Sequence, residues 1–175
     1  MNTEQQKIEY KSLQKIRTGE KGFKELSTTC VALANAQGGQ IMIGVEDKTK
    51  KPAPNQVIPQ EEANSAVTRL RGLCFNVGLA VGDVCEDETG SQYFAITVFP
   101  SLHSYATTSD GKMYIRVADK CEPVRSEDIQ RVGEEKGAFQ WELVPTQFEL
   151  EDENKTNLSK FANDIRQSDR VKLHI

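Results

Sequence analysis

The sequence predicts an α+β domain: a mixed β-sheet with two main helices. Three observations carry that expectation. Short apolar runs of strand length alternate with two longer segments whose apolar residues recur at helical spacing. One of those helices runs into Asn35 and Gly38-Gly39 and continues as a short apolar strand, Gln40 to Val45. A hairpin signal, Asp87-Glu88-Thr89-Gly90, separates two alternating segments further on, with Asp and Gly supplying turn conformations.

The elements follow in order. Lys7 to Ser12 reads as the first strand, carrying Glu9 and Lys11, and Arg17 to Gly22 as a basic, glycine-containing loop. Phe23, Leu26, Cys30, Val31, Leu33 and Ala34 then fall near helical spacing, so a helix is predicted over 22–36. Gly38-Gly39 ends it as a left-handed cap would. The strand after it delivers two carboxylates, Glu46 and Asp47, into the polar, proline-bearing loop Lys48 to Gln56. Ala63, Val67, Leu70 and Leu73 line one face of a second helix over 60–77. Strands are predicted over 80–86, 92–99 and 113–117. A third helix is predicted from Ser126, whose hydroxyl suits an N-cap.

From about Thr146 the character changes. Phe148 to Asn154 is acidic and loop-like, and Thr156-Asn157 caps a helix bearing Leu158, Phe161, Ile165 and Val171. Residues 1–145 are therefore read as one domain. Residues 146–175 are read as an acidic linker and helix, either the start of a further domain or a dimer contact.

Composition narrows the function classes. Hydrophobic content of 37% with 27% charged residues suits a soluble globular chain. No apolar run approaches the roughly 18 residues a membrane span needs. Residues 1–6 lack a basic region followed by an apolar one, so no signal peptide is predicted and a cytoplasmic location is expected. None of the four cysteines forms a C-x-x-C pair, and with two histidines no zinc site of ordinary spacing is predicted. The net charge of −4 argues against indiscriminate nucleic-acid binding. Its distribution is uneven, however. Residues 1–24 hold Lys7, Lys11, Lys15, Arg17, Lys21 and Lys24 against Glu4, Glu9 and Glu20, a local balance of +3. That segment is either a basic binding face or a solvated charged helix end.

Taken together, the Ile8-Glu9-Tyr10-Lys11 strand, the Ala34-Asn35-x-x-Gly38-Gly39 turn, the Gly44-Val45-Glu46-Asp47 strand end and Tyr114-Ile115-Arg116 resemble the Schlafen-type, Alba-like domain. The resemblance covers roughly residues 4–132. In bacteria that domain is described as DNA-binding, fused to regulator or ATPase-like regions; in animals it forms the lobes of Schlafen ribonucleases. It implies a nucleic-acid-binding module acting on DNA or RNA. Alternatively it implies an endoribonuclease in which Glu4, Glu9 and Asp47 hold Mg²⁺ or Mn²⁺ beside Lys11. Because animal nucleases pair two such lobes, a homodimer would be needed to build the same cradle from this chain.

The residues themselves set conditions on these readings. Five positions separate Glu4 from Glu9, a spacing that neither a helix nor a strand brings to one face, so they converge only if Glu4 lies on an irregular or helical lead-in. Clustered carboxylates attract a hard divalent cation, which can activate water against a phosphodiester. Lys11, Lys15, Arg17, Lys24 and Arg116 are the candidate phosphate contacts, Arg116 being equally suited to pair with Glu9 or Asp47. Gly38-Gly39 is not followed by a phosphate-loop lysine, so no nucleotide site is expected in this chain. His103 is a candidate second general base or a surface histidine. Trp141 beside Phe139 is read first as a core or subunit contact. A protein-assembly module, suggested by the acidic tail, is the remaining class.

Overall fold

The computed structural model describes residues 7–102, 104–125, 128, 129, 133 and 152–167. The chain divides into two compact units, residues 1–139 and 140–175. In the first, the order is β1 (Ile8–Lys11), α1 (Gln14–Arg17), α2 (Glu20–Asn35), β2 (Gly39–Ile43), α3 (Gln60–Arg71), β3 (Cys74–Phe75), β4 (Gly78–Val81), β5 (Cys85–Glu86), β6 (Gln92–Phe99), β7 (Thr107–Thr108), β8 (Tyr114–Val117) and β9 (Lys120–Pro123). The main sheet is mixed, in the order β1-β2-β6-β4. β1 runs parallel to β2, with Glu9 beside Ile41 and Lys11 beside Ile43. β2 and β4 are both antiparallel to β6, and β5 extends along β6. The predicted α+β class with a mixed sheet is the observed one.

Strand alternation divides the sheet into two faces. Ile41, Ile43, Phe94, Ile96 and Val98 are fully or nearly fully buried and share the core with Leu26, Cys30, Val31 and Leu33 of α2 and with Val67 and Leu70 of α3. The alternate residues, Tyr10, Met42, Tyr93, Ala95 and Thr97, are only part-buried and form the other face. β1 is the edge strand, so Glu9 and Lys11 stand on the covered side at its margin.

The junction after α2 depends on backbone shape. The Gly38 amide bonds back to the Leu33 carbonyl at 2.9 Å, closing the helix end. Gly38 has φ of 74°, and a Cβ there would sit 2.6 Å from the Val98 carbonyl oxygen. At Gly39 a Cβ would meet the Lys7 carbonyl oxygen at 2.4 Å. Both glycines are thus demanded by close backbone approach. Asn35 closes the same end from inside. Its amide donates to the carbonyls of Ala106 (2.8 Å) and Tyr114 (3.0 Å) and accepts from the Ala106 amide (2.9 Å).

Several predicted elements shift. The basic loop at 17–22 instead contains the end of α1 and the start of α2, drawn together at Gly22, where a Cβ would overlap the Lys15 carbonyl oxygen. The second helix stops at Arg71 rather than Val77. Gly72 caps it, and Asn76 at φ 57° turns the chain so that Cys74–Phe75 pairs with β7. The hairpin strands β4 and β5 are shorter than the single strand read over 80–86. β9 was not predicted: β8 and β9 are joined by the two-residue turn Ala118–Asp119, with Ala118 at φ 55° and no glycine to announce it. The Ser126 cap lies outside the described residues.

In the second unit the described element is α4 (Asp152–Gln167). It starts earlier than predicted, taking in part of the acidic stretch. Leu158 and Phe161 are exposed on it, at 48% and 62%. Among the described residues no helix is long and apolar enough to cross a membrane.

Candidate functional site

The pleat of β1 places Glu9 and Lys11 side by side. Lys11 Nζ lies 2.8 Å from Glu9 Oε1, and Arg116 of β8 donates from Nη2 to Glu9 Oε2 at 2.5 Å. Arg116 also donates from Nη1 to Cys121 Sγ across the β8–β9 hairpin, at 3.3 Å. The Arg116 side chain is only 6% exposed, and its buried Nε has no partner among the described residues. Burial works against the guanidinium charge, but the bonds to Cys121 and Glu9 outweigh it and raise the Arg116 pKa above its ordinary value. Each Glu9 oxygen thus has its own cationic donor. A metal ion on this carboxylate would be placed beside the positive charges of Lys11 and Arg116, which oppose it.

Asp47 lies apart from this cluster. It is exposed, bonded to Lys50 Nζ at 2.5 Å, and that bond holds its carboxyl below the usual range, with a smaller contribution from the charge of Lys11. Lys50 in turn sits over the Tyr10 ring, 4.2 Å from its centroid. Tyr10 alternates with Glu9 along β1, so the partner of Asp47 stands on the open face and the partners of Glu9 on the covered one. Among the described residues no group of three or more His, Cys, Asp or Glu side chains is placed to hold a metal. Glu4, the third expected ligand, lies outside the described residues, as do His103, Phe139 and Trp141.

The remaining candidate cations are spread over the helices. Arg17 grips both oxygens of Glu62 at 2.8 Å from Nε and Nη2 and reaches the Val57 carbonyl at 3.1 Å, tying α1 to α3. That pairing lowers the Glu62 pKa. Lys15 pairs with Glu25 of α2. Lys24 is exposed on α2 with no ion pair among the described residues. The structure therefore brings together Glu9, Lys11 and Arg116, and leaves Asp47, Lys15, Arg17 and Lys24 outside hydrogen-bond reach of that group. Cys121 is a member that the sequence reading passed over. The signal available was its place opposite Arg116 in a short hairpin, legible only once β9 is recognised.

The family model described as Schlafen, AlbA_2 matches residues 4–125. No curated protein matches the chain. Seventeen solved chains match it. One is the DIP2311 protein from Corynebacterium diphtheriae, similar at 21% identity with a TM-score of 0.51. That match covers 70% of this chain and 26% of the DIP2311 chain, so this chain spans about a quarter of that protein's length. At such identity the likeness is one of fold.

Proposed function

The chain belongs to the Schlafen, AlbA_2 family, and from that premise we propose that it is a nucleic-acid-binding module that contacts phosphates from the β1 edge. The observation that carries this reading is the Lys11–Glu9–Arg116 cluster: two cations around one carboxylate, a surplus of positive charge. Such a group suits a phosphate better than a metal ion. Lys11 is 24% exposed, enough to exchange Glu9 for a phosphate oxygen, while the buried Arg116 holds Glu9 in place. Lys15 and Arg17 are paired at the surface, where such bonds are weak and yield readily to a polyanion. Lys24 is exposed without an ion pair among the described residues. They extend the basic face along α1 and α2.

The test is a fluorescence-anisotropy titration of labelled single-stranded RNA and duplex DNA over a salt series, with and without Mn²⁺, the probe length being read on a gel. The expected result is binding that weakens linearly in log salt and a probe that stays whole. Lys11→Ala should reduce the salt slope by about one unit. Mn²⁺-dependent cleavage lost in both Glu9→Gln and Asp47→Asn would overturn the binding reading in favour of a metal-dependent endoribonuclease. No measurable binding at low salt would overturn both.

A further inference from the structure

The open face of the sheet carries a pocket of about 520 Å³, within the range of roughly 300–1,000 Å³ typical of small-molecule sites. Its floor is Tyr10, Met42 and Tyr93. One wall is the loop after β2, with Lys50 and Lys51; the other is the β5–β6 turn, with Glu88. The charge of Lys51 reaches across to Asp87 of that turn and contributes to lowering its pKa, the bond from Thr89 being the larger cause.

Three of these groups are unengaged among the described residues: the Tyr93 hydroxyl, the Lys51 ammonium and the Glu88 carboxylate have no hydrogen-bond or ion-pair partner there. Lys50 already covers the Tyr10 ring, so Tyr93 supplies the available aromatic surface. An aromatic floor with a cation on one wall and an acceptor on the other matches a ligand with three features. It is planar, it offers amino donors at its edge, and it carries an anion on one side. A nucleotide of adenine, guanine or cytosine has all three.

We propose that this pocket binds one unstacked nucleotide of a single strand, its base against Tyr93, its exocyclic amine toward Glu88 and its phosphate at Lys51. This inference rests on the nucleic-acid-binding reading and narrows it: the open face selects single strands, because a base within a duplex cannot present its face to Tyr93. Lys11, on the covered side of β1, belongs to the phosphate contacts and not to this pocket.

The experiment combines two titrations on the intact chain. Amide NMR shifts are followed as adenosine, guanosine, cytidine and uridine monophosphates are added, and affinities for a single-stranded oligonucleotide and its duplex are measured for wild type and variants. Shifts centred on Tyr10, Met42, Lys51 and Tyr93 are expected. Tyr93→Ala should weaken single-strand binding by roughly 5- to 100-fold, Tyr93→Phe should restore it, and duplex binding should be unaffected. Lys51→Glu, at an exposed position, gives the same direction without risk to folding. If neither Tyr93→Ala nor Lys51→Glu changes single-strand affinity while Lys11→Ala does, the pocket inference is wrong and the binding reading stands. If wild type binds neither nucleotide nor strand, both fall.

Discussion

The two faces of the main sheet treat polar groups in opposite ways. On the covered face Glu9 is reachable only at the strand edge, and both its oxygens are taken by Lys11 and Arg116. On the open face Tyr93, Lys51 and Glu88 surround a pocket with no partner among the described residues. The difference follows from water. A charge pressed against a core is tolerated only when it is bonded, whereas water satisfies an open face and leaves its groups free for a ligand. Changes at the buried polar groups Asn35 and Arg116 should therefore be read in stability, and changes at Lys11 on the strand edge or on the open face in binding.

The largest expected effect is at Asn35, a buried polar residue with three hydrogen bonds. Asn35→Ala removes three hydrogen bonds and strands the Ala106 amide and two carbonyls, so it should cost about 3 kcal/mol in urea unfolding. A loss below about 1 kcal/mol would mean that water replaces the amide and that this end of α2 is not closed.

Next comes Arg116→Ala, which leaves Glu9 without its main donor and should cost about 2–3 kcal/mol, discounted from a fully buried pair because Glu9 remains 19% exposed. Glu9→Gln combined with Arg116→Met should cost less than the two singles added together. Strict additivity in that cycle would show that the two residues do not act as a pair.

A smaller effect is expected at Arg17→Ala, about 0.5 kcal/mol, because that pair lies at the surface. Its pH dependence has a definite sign. Glu62 is held below the ordinary 4.5 of a glutamate, chiefly by the Arg17 hydrogen bond, so its contribution is present above that value and fades as pH falls through the depressed one. The stability gap between wild type and Arg17→Ala should be open at neutral pH and closed in strong acid. A gap that persists in acid would point to lost packing rather than lost charge.

The smallest stability effect belongs to the open face. Lys51→Glu should change the free energy of urea unfolding by less than about 0.5 kcal/mol while changing single-strand binding. A large loss of stability there would break the contrast between the faces.

Local chemistry determined much of this protein. The helical spacing from Phe23 to Ala34, the glycine pair that ends it and the alternation around the Asp87–Gly90 turn each reflect a single element's own period or backbone freedom, which is why they were legible from sequence. So were Glu9 and Lys11 as neighbours on one strand face. The unexpected boundaries had tertiary causes. α3 gives way at Gly72 because Cys74 and Phe75 pair with a strand more than thirty residues later. β9 forms by pairing with β8 through a turn that carries no glycine. The partners of the acids were decided in the same way. Arg116 was open to Glu9 or Asp47 on charge alone; the packing of β8 against α2 delivers it to Glu9, and the loop after β2 hands Asp47 to Lys50. Sequence specifies which charges exist and which face of its own element each one occupies. Which charge meets which depends on distances across elements, and those are set only when the sheet and helices pack.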